Sequence, residues 1–191
     1  MNATLRPMFV LFVALSLLTG IAYPLLVTGV AKATMPFEAG GSIVERNGKA
    51  VGSRLIGQRF SDPRHFWSRP SATSPGPNNA TASGGSNQGP SNPALVDAIK
   101  GRVEALRAAD PGNATPIPVD LVTASGSGLD PDISVAAARY QAPRVARLRG
   151  TSLERVQALI AAQTQGQWLG FLGEARVNVL SLNLALDSMA P

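Results

Sequence analysis

Residues 8–30 read MFVLFVALSLLTGIAYPLLVTGV, and no charged side chain occurs from Pro7 to Ala31. At 1.5 Å per residue, about 20 such residues cross the ~30 Å hydrocarbon core of a bilayer. In that medium the backbone must satisfy its own hydrogen bonds, so a single span has to be a helix. Residues 8–31 are therefore expected to form a transmembrane helix, with a short N-terminus at 1–7 and a folded domain at 32–191.

The competing expectation is a secretory signal cleaved near Ala33, because Ala31-Lys32-Ala33 has small-x-small spacing. That cleavage would release a periplasmic binding protein or hydrolase. The apolar run exceeds the roughly 7–15 residues of a signal core, and Lys32 falls inside the cleavage motif, so a retained anchor is preferred. Ser16 and Gly20 lie four apart on one helix face, and Tyr23, Pro24 and Thr28 continue down approximately the same side. Small residues at this spacing let a second helix approach, because lipid supplies no hydrophobic drive for association. Arg6 and the α-amino group outweigh Lys32 slightly, and long domains translocate largely regardless of charge. The N-terminus is expected in the cytoplasm and residues 32–191 in the periplasm.

A chain of 191 residues allows one soluble domain beside the anchor. Aromatic residues are only 5% of it, so the core must be built from Leu, Val, Ile and Ala. Cysteine is absent, which removes disulfides, thiolate metal sites and thiol nucleophiles. The net charge of +5 permits anionic partners, but the arginines are dispersed apart from Arg139, Arg144, Arg147 and Arg149, so nucleic acid is not expected.

In the soluble part, IVERNGKAVGSRLIGQRF (43–60) reads as two strands around Asn47-Gly48, a pair suited to a type I′ turn. Residues 73–93 are almost entirely Ser, Gly, Pro, Asn, Thr and Ala, the composition of a long loop. Asn92-Pro93 opens a helix with Leu95, Ile99, Val103 and Leu106 on one face. VDLVTA (119–124) has the length and branching of a buried strand. Asp130-Pro131 reads as a helix cap and first turn, followed by helical ISVAAARYQ and a separate turn from Pro143 to Leu148. Thr151-Ser152-Leu153-Glu154 has the form of a capping box with Thr151 at the cap. VNVLSLNLAL (177–186) begins as a strand and shifts to a short helical turn. A hairpin followed by mixed helices and strands predicts an α+β domain.

Three segments invite a chemical role. His65 is the single histidine, in the segment Asp62–Trp67, and with no cysteine in the chain a usual zinc site would need three carboxylates beside it. SGGSN, comprising Ser83, Gly84, Gly85, Ser86 and Asn87, resembles the signature loop of ABC-type ATPases but has Ala82 where leucine is usual, and no G-x-x-x-x-G-K-[ST] pattern accompanies it. SGSGLDPDIS (125–134) offers oxygen ligands at Asp130, Asp132 and Ser134, as a calcium loop does. The sixth and twelfth positions of such a loop would fall on Val135 and Gln141, which supply neither the glycine nor the bidentate glutamate. No catalytic constellation and no metal site emerge.

Taken in order, GIAYP (20–24), GSRLIGQRF, FWSRPSA, ASGGSN, SGSGLDPDIS leading to AAARYQAPRVARLRG, and LGEARVNVLSLNLALD span nearly the whole chain. In that combination the sequence resembles the C subunits of bacterial Kdp potassium-transporting ATPases. The resemblance implies a single-pass inner-membrane protein with a periplasmic domain, beside a potassium-translocating A subunit, a P-type ATPase B subunit and a small F peptide. It implies a complex that uses ATP, magnesium and potassium, with no cofactor bound by this subunit directly. The DKTGT phosphorylation motif is absent, so the chain is not itself the ATPase. Implied roles are assembly and stabilisation of the complex, a cap over the periplasmic potassium entrance, and a rise in the ATP affinity of the catalytic subunit. SGGSN becomes a nucleotide candidate by that resemblance alone. Ser16, Gly20, Tyr23 and Pro24 in the membrane, with Ser125, Gly126, Ser127 and Gly128 outside it, become candidate subunit contacts.

Overall fold

A computed structural model describes residues 2–189, which divide into two compact units, one ending at Val51 and the other beginning at Gly52. The first unit opens with α1 (Asn2–Leu17), a π-helical turn (Leu18–Ala22) and α2 (Tyr23–Thr34). Together they give an apolar helix over Ala3–Thr34, none of it buried within the chain. Its 32 residues would extend about 48 Å, enough to cross a bilayer with a margin. The π turn has an identifiable cause in Pro24, which has no N–H to offer Gly20 and whose ring would meet that carbonyl in an α-helix. Tyr23 instead donates to the carbonyl of Leu18, one residue further back than in an α-turn. That extra residue sets Tyr23 and Pro24 back by up to about 100° relative to Ser16, so the face expected from 3.6-residue spacing is not continuous through Gly20.

A short α3 (Pro36–Ala39) leads into β1 (Ile43–Arg46), and β2 (Lys49–Ser53) carries the chain across the division. Asn47 and Gly48 have φ of 54° and 72°, the positive values of the expected hairpin turn. The second strand ends at Ser53 rather than continuing to residue 60, and Gly57 donates to the Leu129 carbonyl beyond it.

The second unit contains α4 (Pro93–Ala109), capped by Asn92 as expected. Of its apolar face only Leu106 is fully buried. VDLVTA is not a strand: Val119–Leu121 form a 3-10 turn that buries Leu121 and leaves Val119 exposed. A short apolar run signals burial but not conformation, and here the pattern fits a turn under the core as well as a strand. Asp130 is likewise not a helix cap. Its Oδ1 accepts from the Asp132 amide, and the chain enters β3 (Asp132–Ser134) before Ser134 caps α5 (Val135–Arg149).

Helix α5 runs unbroken through Pro143, where a separate turn was expected. Losing one hydrogen bond to proline costs about 3 kcal/mol, but Ala142, Val145 and Ala146 on both sides of it are buried and hold the helix straight through. Gly150, at φ 64°, closes it in the left-handed conformation that glycine adopts without strain. The cap of α6 (Leu153–Gln163) is Ser152, one residue later than the capping box suggests, and its side chain accepts from the Arg155 amide. Then follow β4 (Thr164–Gln165), β5 (Arg176–Asn178) and α7 (Val179–Asp187).

The sheet has order β3-β5-β4 and is antiparallel, with Ile133 opposite Val177 and Thr164 also paired to Val177. Ile133, Val177, Val156, Ile160, Leu182 and the alanine face of α5 form the core, with Phe66 fully enclosed among them. The mixed architecture is the α+β class expected.

Candidate functional site

The motif segment Asp62–Pro70 has no strand partner, so its backbone groups need others. Side chains on α5 and α7 provide them. Asn183 accepts from the Phe66 amide at 2.9 Å and donates to the Phe66 carbonyl at 3.0 Å, as a neighbouring strand would. Gln141 repeats the arrangement one residue on, accepting from Trp67 N at 2.8 Å and donating to Trp67 O at 3.2 Å. Arg144, 2% exposed, donates to the carbonyls of Pro63 and His65 and to Gln141, and its guanidinium lies 4.5 Å from the Trp67 ring centre. Burial lowers its pKa to about 10, so it stays charged at neutral pH.

His65 is hydrogen-bonded through Nε2 to the Asp187 carboxylate, with the Asp62 carboxylate near its other ring nitrogen. Nε2 lies 3.0 Å from Asp187 and Nδ1 3.9 Å from Asp62, with the Phe60 ring centre 5.9 Å away and tilted by 39°. Burial pushes the Asp187 carboxyl up, but hydrogen bonds from Arg149 and His65 outweigh it and hold that group below its ordinary value. Arg149 also donates to the Arg64 carbonyl, so the cluster ties the strap to the ends of α5 and α7. The geometry is that of a clasp: neither ring nitrogen is turned to a serine as a nucleophile's base would be.

From this strap the chain enters the long loop, which is ordered by its own polar network. Ser71 donates to the Gly128 carbonyl at 2.7 Å and accepts from the Asn78 amide, while Pro70 accepts from the Ser125 amide. The two glycine-rich motifs therefore meet. Gly84 N and Ser83 Oγ both donate to the Ser127 carbonyl, at 2.8 and 3.1 Å. A Cβ on Gly85 would lie 3.0 Å from the Gly126 carbonyl, and one on Gly128, whose φ is +67°, would lie 2.8 Å from the Gly84 carbonyl. Glycine is required at 128 by both the backbone conformation and the approach. Ser86, Asn87, Gly126 and Ser127 face solvent.

This paired loop has little of a phosphate cradle. The Gly84 amide and Ser83 hydroxyl are engaged internally, and the segment follows the 3-10 turn Ala80–Ala82 without itself opening a helix, since α4 is capped by Asn92. The carboxylates of the calcium-like motif are also paired, Asp130 with Arg69 and Asp132 with Arg176, each at 2.9 Å. Among the described residues no group of three or more metal-ligating His, Cys, Asp or Glu side chains occurs. Sequence reasoning located both glycine motifs but not their contact, and it assigned Gln141, Arg144 and Asn183 no part in holding a strap. A polar pair three apart on an alanine-rich inward face was the available sign for Gln141 and Arg144.

The family model described as KdpC, the c chain of K+-transporting ATPase, matches residues 5–188. The chain belongs to the KdpC family. It is 68% identical over 190 residues to a potassium-transporting ATPase KdpC subunit of Variovorax paradoxus (strain S110), covering 100% of this chain and 98% of the relative. A subunit of the same description from Polaromonas naphthalenivorans (strain CJ2) is 66% identical over 191 residues, with coverage of 100% and 97%. Membership makes the chain an accessory subunit of a potassium-uptake complex, with partner subunits, and its one long apolar helix fits a single-pass membrane protein. In this KdpC chain the strap and the paired loop both belong to the unit that begins at Gly52.

Proposed function

We propose that this KdpC-family chain is a non-catalytic assembly subunit that acts through its contacts with the A, B and F subunits of the pump. Its domain lies in the periplasm, with the paired loop facing the potassium-translocating subunit and covering the potassium entrance. The ATP, magnesium and potassium used by the complex are bound by other subunits, and the internal engagement of Ser83 and Gly84 speaks against direct contact with nucleotide.

The observation that carries this reading is the apolar helix Ala3–Thr34, which buries none of its surface within the chain. Such a helix takes lipid and neighbouring helices as its environment, and small residues decide how near a neighbour comes. A second apolar surface, the loop bearing Trp168, Leu169 and Phe171, is also left open, as an assembly subunit would leave it.

Gly20 tests the membrane contact because a Cβ there would meet nothing within 4 Å in this chain. Gly20→Leu is expected to insert normally yet to lose most co-purification with the partner subunits in mild detergent, and potassium-dependent ATPase activity with it. Undiminished co-purification and activity would remove Gly20 from the interface.

A further inference from the structure

Beside the strap, under the turn at Thr73–Asn78 and against α4, lies a cleft of about 560 Å³. Arg59, Arg69 and Arg102 line it, and no aspartate or glutamate does. Phe60, Trp67 and Leu106 supply an apolar wall. The volume falls within the range of about 300–1,000 Å³ typical of small-molecule sites.

The three guanidinium groups retain unused donors. Arg59 is exposed and has no ion-pair or hydrogen-bond partner among the described residues. Arg69 pairs through Nη1 with Asp130, but its Nε is buried without a partner. Arg102 gives Nη1 to the Val122 carbonyl at 2.8 Å, leaving the rest of its fork free. Burial pushes the Arg102 pKa down, a sign that its charge is imperfectly compensated in the chain alone.

Three guanidinium groups against one paired carboxylate, Asp130, leave a net positive concave site that focuses potential, and guanidinium forks match the oxygen spacing of tetrahedral oxyanions. We infer that this cleft binds a phosphate-class oxyanion attached to an apolar body, held by Arg59, Arg69 and Arg102 and seated against Trp67. A lipid headgroup and a soluble phosphate compound share that chemistry. The inference is independent of which partner subunits the chain meets.

Trp67 reports on the site directly, because Trp168 is the only other tryptophan and can be replaced. Full-length Trp168→Phe protein in nonionic detergent is titrated with inorganic phosphate and with short-chain phosphatidylglycerol, at ionic strength held constant with chloride. A saturable change in Trp67 emission is expected with at least one probe and not with chloride. Arg59→Gln and Arg102→Gln should each weaken it by about tenfold or more, the loss of one charge-assisted fork. Response to phosphate alone assigns a soluble ligand, and response only to phosphatidylglycerol assigns a headgroup. No saturable response to either probe, or equal affinity in the Arg59→Gln protein, overturns the site; Arg59 is exposed and its side chain has no partner among the described residues, so misfolding cannot account for that variant's result.

Discussion

Gly128→Ala is expected to destabilise the soluble domain by about 2–5 kcal/mol, the sum of two costs. A left-handed conformation costs a non-glycine residue about 1–2 kcal/mol. Crowding adds about 1–3 kcal/mol, because the new methyl would lie 2.8 Å from the Gly84 carbonyl and 2.5 Å from the Thr73 methyl. The Gly84 carbonyl belongs to backbone tied to Ser127, so it cannot yield without opening the contact between the loops. Thermal melting reads the loss as a decrease of roughly 5–15 °C for a domain of this size. Gly126→Ala is the matched control. Its Cβ would meet nothing and its φ lies outside the left-handed region, so its melting temperature should stay close to that of the parent protein.

Arg144→Met is the second large effect, expected at about 3–5 kcal/mol. Exchanging a buried ion pair for apolar residues is often neutral when both partners are exchanged. Here the partners are main-chain carbonyls of Pro63 and His65 together with Gln141, and no side-chain substitution removes the carbonyls. The half-buried His65 carbonyl loses its donor at about 1–3 kcal/mol, the carbonyl of exposed Pro63 is open to water, and the lost charge-assisted bond to buried Gln141 and the guanidinium face over Trp67 supply the rest. Arg144→Lys should recover little, because an ammonium has neither the fork for several acceptors nor the flat face that lies over Trp67. Urea unfolding measures the difference, with exposed Arg139→Met expected within about 0.5 kcal/mol of the parent. An Arg144→Met loss as small as the Arg139→Met one would mean that the strap is held by the Asn183 and Gln141 amides without help from the guanidinium.

Local chemistry was legible in the sequence wherever one residue type decides the backbone. The charge-free run, the Asn47-Gly48 turn, the Asn92 cap and the strand-to-helix change after Val177 all appear as expected. Misreadings arose where a neighbour distant in sequence decides. Asp130 has the chemistry of a cap, but pairing of Asp132–Ser134 with β5 claims the next residues for a strand. Pro143 signals a break only if the helix is exposed, and here the core packs on both of its sides. Thr151 and Ser152 are equally good caps in isolation, and the backbone at Gly150 selects the second. In the candidate site, composition showed that both loops need glycine but not why. The reason is their close approach between residues 44 apart in the chain, and no periodicity encodes it.

We propose that the paired loop lies outside the membrane and meets a partner subunit. A single cysteine can test both halves, since the chain has none of its own. Ser86 is exposed on the loop, so Ser86→Cys offers an accessible thiol without disturbing the Gly84–Ser127 contact. In intact cells producing this chain alone, a membrane-impermeant thiol reagent should label it, and co-production of the pump's other subunits should suppress that labelling. Labelling only after the membrane is broken would place the domain on the cytoplasmic side, and labelling undiminished in the assembled complex would show the loop free of any partner; either result contradicts the account.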